Sequence, residues 1–232
     1  MKAMILAAGR GERMRPLSDT TPKPLLQVGG KALIVWHIEH LVRDGFTDII
    51  INHAHLGHMI EAALGDGKQF GAQIRYSPEA EALETAGGIA QALPLLGKDP
   101  FLVVNGDIYI EYDFSRAREI GMAMRANAEL FAAYLVLADN PPQHAQGDFA
   151  LEHSKVKLAG NPMLTFTGVA VYQPDNFRDI QVGSKAKLAP LLKTLIEYDL
   201  VRGEHHRGRW VDVGTPQRLA ELDQALLHCA EK

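Results

Sequence analysis

The chain of 232 residues contains one cysteine, Cys229. No disulfide can form within it, so the small disulfide-framed class is excluded. Long apolar runs are missing as well. The longest uninterrupted one, residues 130–138, has nine members, less than half of the ~20 that a helix needs to cross a bilayer. At the start only residues 3–8 are consecutively apolar before Gly9-Arg10-Gly11, too few for the core of a secretory signal. Charge of one sign is also scarce. Lys and Arg number 24 against 28 Asp and Glu, a formal charge of −4, so no overall field draws the chain to nucleic acid. An anionic ligand must therefore be held by locally placed cations. Together these absences predict a soluble, cytoplasmic protein with neither a membrane nor a nucleic-acid partner, and they leave open a monomer or a weak dimer. What is present is the 47% apolar and 22% charged balance of a globular chain.

Short apolar runs alternate with helical patterns from the first residues onward. Strands are predicted at 3–7, 48–52, 73–76 and 101–104, and helices at 32–44, 58–64 and 86–96. Buried strands read as continuous apolar runs, and helices recur with 3.6-residue periodicity. This alternation predicts a Rossmann-like three-layer α/β/α domain with a mostly parallel mixed sheet. Further on, the pattern gives a helix at 114–127, a long strand at 129–138, and hairpin-type strands at 149–158 and 164–172. A helix at 187–198 and a last one at 216–228 follow, the latter capped by Thr215 with Pro216 in its first turn. His205-His206 reads as an exposed turn, and His53-Ala54-His55-Leu56-Gly57-His58 as a loop running into a helix rather than a zinc site. No linker divides the chain, so 1–232 reads as one domain, with a nucleotide part over about 1–110 and a sugar-phosphate part over about 111–232.

The loop after the first strand, Leu6-Ala-Ala-Gly-Arg-Gly-Glu-Arg-Met-Arg-Pro16, fits neither common phosphate motif. A dinucleotide fingerprint needs glycine where Met14 stands, and a Walker loop needs Gly-Lys-Ser/Thr. What remains is a tight Gly9/Gly11 turn whose N–H groups can approach a phosphate, with cations at Arg10, Arg13, Arg15 and Lys23. Pro22 and Pro24 frame Lys23 and limit the freedom it loses on meeting a charged partner. Two lone aspartates, Asp107 after 101–106 and Asp212 after Trp210-Val211, end apolar runs at the predicted carboxyl edge of the sheet, where ligands of such sheets bind. Two carboxylates without a histidine cluster suit Mg²⁺ better than zinc.

These segments resemble the sugar-1-phosphate nucleotidyltransferase family. The glycine loop is similar to that family's signature, Lys23-Pro-Leu-Leu to its next element, and Glu79 with Leu83-Glu-Thr-Ala-Gly-Gly88 to its nucleoside segment. Asn105-Gly-Asp107 and Trp210-Val-Asp-Val-Gly-Thr-Pro216 resemble its two metal-bearing elements. The resemblance implies attack of a sugar 1-phosphate on the α-phosphorus of a nucleoside triphosphate, with pyrophosphate leaving. It implies catalytic roles for Arg13 and Lys23 on the phosphates and Mg²⁺ on Asp107 and Asp212. Leu6, Ala8, Gly9, Gly11, Arg13, Lys23, Glu79, Ala86, Gly87 and Asn105 would bind the nucleotide. Asp107, Thr167 and Gly168 would meet the sugar phosphate, with Lys187 or Arg202 as cations for an acidic sugar. Glu12 and Glu84 depart from the usual threonine and glycine, and the sugar-binding elements are unrecognisable. The segment 83–89 is most similar to the branch of uridylyltransferases that join UTP to N-acetylmuramate 1-phosphate in peptidoglycan recycling. A mannose- or heptose-1-phosphate guanylyltransferase and an inactive nucleotide-sugar sensor on the same fold are the alternatives.

Overall fold

The structure, a computed structural model, describes residues 1–127 and 129–230, with only the backbone of the last two of these; the side chain of Cys229 lies outside the described residues. The first half runs β1 (Ala3–Leu6), α1 (Leu17–Thr20), β2 (Gln27–Val28), β3 (Lys31–Ala32), α2 (Leu33–Arg43), β4 (Asp48–His53), α3 (Gly57–Leu64), β5 (Gln73–Pro78), α4 (Glu84–Leu96) and β6 (Phe101–Asn105). The second half runs β7 (Ile108–Ile110), α5 (Ser115–Ala126), β8 (Ala133–Ala138), β9 (Phe149–Glu152), β10 (Lys155–Lys157), β11 (Met163–Tyr172), α6 (Leu188–Glu197), β12 (Val201–His206), β13 (Trp210–Asp212) and α7 (Pro216–Ala230).

Strand alternation explains the layers. In β1, β4 and β6, Ala3, Ile5, Ile49, Ile51, Leu102 and Val104 point to one face, where they pack on α2, α3 and α5. Met4, Ile50, Phe101 and Val103 point to the other, against α4 and α6. Burial on both faces is what makes these strands continuous apolar runs. The main sheet has the order β5-β4-β1-β6-β11-β8-β12-β10-β9. β5, β4, β1 and β6 are parallel. β11 enters antiparallel between β6 and β8, and β12 then pairs in parallel with β8. The mixed α/β sheet expected from the sequence is therefore present. A third, smaller core gathers Met14, Val28, Leu33, Tyr109 and Val213 under Leu219, Leu222 and Leu226 of α7.

Three local expectations change. The strand expected from 129 begins only at Ala133, because the Leu130 N–H is spent on the Asn127 carbonyl, at 3.0 Å, rather than on a neighbouring strand. Residues 149–158 form not one strand but the β9–β10 hairpin. It reverses through His153 and Ser154, both at positive φ, without the Asn-Gly type of signal that marks such turns in a sequence. His205 and His206 are not an exposed turn; they end β12 and pair with Leu137 and Ala138. Among the described residues no helix is long and apolar enough to cross a membrane.

Candidate active site

The phosphate-type loop lies between β1 and α1 and is fixed from below. Met14, fully buried, drops into the third core. Gly11 adopts φ +69, and a Cβ there would stand 3.3 Å from Lys23 Cβ, so the loop lies directly on the lysine. Its carbonyl accepts from Ser18 Oγ at 2.8 Å, and the Ser18 carbonyl in turn lies 3.2 Å from His55 Nε2. Of the loop's cations, Arg10 pairs with Glu12 and Arg15 with Asp19. Lys23, nearly buried between its prolines, sends Nζ to Asp107 Oδ2 at 2.7 Å. Arg13 alone among these is unpaired within the described residues.

Asp107 and Asp212, far apart in the chain, are joined by a two-stranded antiparallel ribbon. β7 pairs with β13 so that Asp212 faces Ile108, and the Val213 N–H donates to the Asp107 carbonyl at 3.1 Å. Two adjoining cavities open there. One of about 410 Å³ is lined by Leu6, Ala8, Gly9, Gly11, Lys23 and Asn52 among others. The second, of about 330 Å³, is lined by Gln143, His144, Asp148, Phe166, Trp210 and Asp212 among others. Arg13, Asn105 and Asp107 line both, and so stand at the junction.

Other residues singled out in the sequence take different places. Glu79 stands behind the first cavity. Its carboxylate accepts from Asn52 Nδ2 at 2.7 Å and from the Leu83 N–H at 2.8 Å, while Asn52 Oδ1 accepts from the Ala7 N–H. Burial pushes its carboxyl above the usual carboxylate range, against those two hydrogen bonds. Ala86 and Gly87 donate their N–H groups to the Ala186 carbonyl, at the buried side of the α4 terminus. Gly168, at φ +86, lies where a Cβ would stand 2.5 Å from Asn105 Nδ2, so the irregularity in β11 makes room for Asn105.

Three of the sugar-side expectations meet a different geometry. Thr167 lines the second cavity, but its hydroxyl donates to the Val136 carbonyl at 2.7 Å and accepts from the Val169 N–H within the sheet. Arg202 lies in β12 beside β10 and donates to the Asp199 and Val201 carbonyls; Lys187 is an exposed residue at the start of α6. Neither lines either of these two cavities. In the 53–58 segment His53 ends β4, with Nε2 2.7 Å from Glu61 Oε1, and α3 begins at Gly57.

Sequence reasoning missed Asn52, Arg218 and the 141–148 loop, none of which carries a recognisable spacing. Glu84 was noted only as a departure. It lines the first cavity with φ 62, a left-handed conformation that disfavours a side chain by ~1–2 kcal/mol. After the backbone entropy of glycine is subtracted, Glu84→Gly is expected to stabilise the fold by about 0.5–1 kcal/mol. A higher urea midpoint would record the gain, and an unchanged or lower one would contradict the strain.

A glycine loop on a parallel sheet, a lysine on one acidic residue and a second acidic residue from the chain's other end define a phosphoryl-transfer class of site. The chain belongs to the nucleotidyl transferase family, whose pattern matches residues 2–228. It is 55% identical to N-acetylmuramate alpha-1-phosphate uridylyltransferase of Neisseria meningitidis serogroup B, over 97% of this chain and 98% of that protein. The enzyme of the same name from Caulobacter vibrioides is 36% identical over 93% of this chain and 92% of its own length. The fold also matches a Bacillus anthracis structure described as a glucose-1-phosphate thymidylyltransferase in complex with sucrose. The TM-score is 0.82 at 21% identity, with 98% of this chain and 95% of that one covered.

Proposed function

We propose that the chain joins UTP and N-acetylmuramate 1-phosphate, releasing pyrophosphate and UDP-N-acetylmuramate. The observation that carries this reading is the junction of two cavities at Arg13, Asn105 and Asp107, backed by the 55% identity across nearly the whole chain. The nucleotide takes the cavity under the glycine loop and the sugar phosphate takes the one walled by Trp210 and Phe166. An oxygen of the sugar phosphate attacks the α-phosphorus, the bond to the β-phosphate oxygen breaks, and pyrophosphate departs with that electron pair. Such a transfer depends on positioning and charge stabilisation. Arg13, unpaired at the junction, meets both anions, and Lys23 lies within reach of the phosphates from its place on Asp107. The two hard carboxylates lining this space suit Mg²⁺, which Asp107 and Asp212 would hold with substrate oxygens and water. Bound there, the ion would offset the charge of the reacting phosphates.

The 3-O-lactyl carboxylate distinguishes this sugar from N-acetylglucosamine. Lys187 and Arg202 line neither cavity, and the donors lining the second include Gln143, Arg13 and Asn105. His144 Nε2 is taken up by Asp148 Oδ1 at 2.9 Å, and Asp148 Oδ2 accepts the Phe166 N–H, so Gln143 is the side-chain donor that this loop offers. Gln143→Ala is expected to lower kcat/KM for N-acetylmuramate 1-phosphate about 10-fold, the worth of one hydrogen bond to a charged group. N-acetylglucosamine 1-phosphate should be little affected, and equal losses on both would remove Gln143 from that role. The function itself is tested by pyrophosphate release from four nucleoside triphosphates against a series of sugar 1-phosphates. UTP with N-acetylmuramate 1-phosphate should lead. Preference for GTP with mannose or heptose 1-phosphate, or release from no pair, would overturn the reading.

A further inference from the structure

Asp212 does not stand free in its cavity. Arg218, on the first turns of α7, donates from Nη1 to Asp212 Oδ2 at 2.5 Å and to the Asp212 carbonyl at 2.9 Å. Its Nε donates to Thr215 Oγ1 at 3.4 Å, the same hydroxyl oxygen that accepts the Arg218 N–H and caps the helix. The Arg218 side chain is 17% exposed, and its guanidinium is let in by a residue without a side chain: a Cβ at Gly214 would stand 2.6 Å from Arg218 Nη2 and 3.1 Å from Asp212 Oδ2. The arrangement repeats on the other acidic residue, where Lys23 occupies Asp107 Oδ2. Each carboxylate therefore has one oxygen already held by a cation. The formal charges of Asp107, Asp212, Lys23 and Arg218 sum to zero, so each of these two carboxylates is offset by its own cation, while Glu12, Arg13, Glu84 and Asp148 also line the two cavities.

We infer that Arg218 is a positioning residue: it fixes the orientation of the Asp212 carboxylate and, as Lys23 does for Asp107, offsets its charge, so that a divalent cation binds weakly there until a nucleotide is present. The inference rests on the metal role of Asp107 and Asp212 in the proposed function. A lone cation meets two carboxylates each already drawn to a neighbouring cation, and two half-used carboxylates fall short of the oxygen shell it needs. A triphosphate brings both the missing oxygens and the missing negative charge. The guanidinium's fork, with Nη1 on the Asp212 carbonyl and carboxylate and Nε on the Thr215 hydroxyl, gives the carboxylate one orientation rather than many.

The test is Mn²⁺ binding followed by electron paramagnetic resonance, with and without UTP, beside steady-state turnover with Mg²⁺. Wild-type protein should bind Mn²⁺ alone only weakly, and roughly tenfold or more tightly in the complex with UTP. Arg218→Met should bind Mn²⁺ alone about fivefold or more tightly than wild type, since a positive charge beside the site is gone, while kcat falls about tenfold or more. Arg218→Lys, which keeps the charge and loses the fork, should keep the weak Mn²⁺ binding of wild type and show an intermediate kcat; it carries the test if Arg218→Met fails to fold. Equal Mn²⁺ binding by wild type and Arg218→Met, tightened Mn²⁺ binding by Arg218→Lys, or an unchanged kcat in either variant would overturn the inference. Failure of the underlying metal assignment looks different: Asp212→Asn would then leave Mg²⁺-dependent turnover intact, whatever Arg218 does.

Discussion

Asp107→Asn and Asp212→Asn are each expected to lower Mg²⁺-dependent turnover by about 10²–10³-fold, the range observed when one preorganised electrostatic element is removed from a transition state. The two aspartates flank one ribbon and line one cavity, so either change would remove half of the carboxylate share proposed for the ion. The fold should survive both. Asp212 is flanked by Arg218 and Asp107 by Lys23, yet the Asp107 side chain is 43% exposed and its pair is screened by solvent, so its contribution to stability is small. In Asp107→Asn the amide oxygen could still accept from Lys23 Nζ. Pyrophosphate release and urea unfolding, measured on the same preparations, separate the two effects. Wild-type turnover in either variant would remove that aspartate from the metal role, and joint loss of turnover and fold would point to a structural one.

Acid should weaken the fold through His37, in α2. Its ring is almost wholly buried and its Nε2–H donates to the Ile108 carbonyl at 2.8 Å, directly beneath the start of β7. Burial, which penalises the charged imidazolium, lowers its pKa from 6.5 to about 4, against the pull of that hydrogen bond. The unfolded chain therefore takes up the proton first as pH falls. The stability that neutral His37 contributes is complete above 6.5, erodes below it, and is lost once pH has fallen through about 4. Over that window the loss amounts to about 3 kcal/mol, a large part of the roughly 5–15 kcal/mol that ordinarily separates folded from unfolded protein. Urea midpoints between pH 7 and 4 should fall steeply in wild type and less steeply in His37→Gln, whose amide can still donate to Ile108. Parallel slopes would show that the acid response comes from elsewhere. His40, one turn on and lowered in the same direction chiefly by burial, adds to the same acid response.

The first half of the fold was legible because β1, β4 and β6 are covered on both faces and so appear as apolar runs at the right spacing. β12 was not, since Arg-Gly-Glu-His-His has neither an apolar run nor alternation; hydrogen bonding to β8 and β10 makes it a strand. The ribbon β7–β13 was hidden for another reason: three-residue strands 100 residues apart leave no local trace of their pairing. At the site, Arg13, Lys23, Asp107 and Asp212 stood out through the elements around them, and the structure brings all four together. The groups that hold them in place did not. Arg218 reads as one more charge on an amphipathic helix, and Asn52 as the end of an apolar strand. Lys187 and Arg202 were chosen on charge alone, which says nothing of distance, and the bulge that turns the Thr167 hydroxyl toward Val136 has no sequence signal.

The β7–β13 ribbon also bears on how the molecule comes into being. β7 emerges from the ribosome about 100 residues before its partner strand. A nascent chain can assemble the β5-β4-β1-β6 sheet and its glycine loop early, yet it lacks the second acidic group until β13 has been made. Products of premature termination before residue 210, however well their sheet forms, would carry a nucleotide pocket without a working centre.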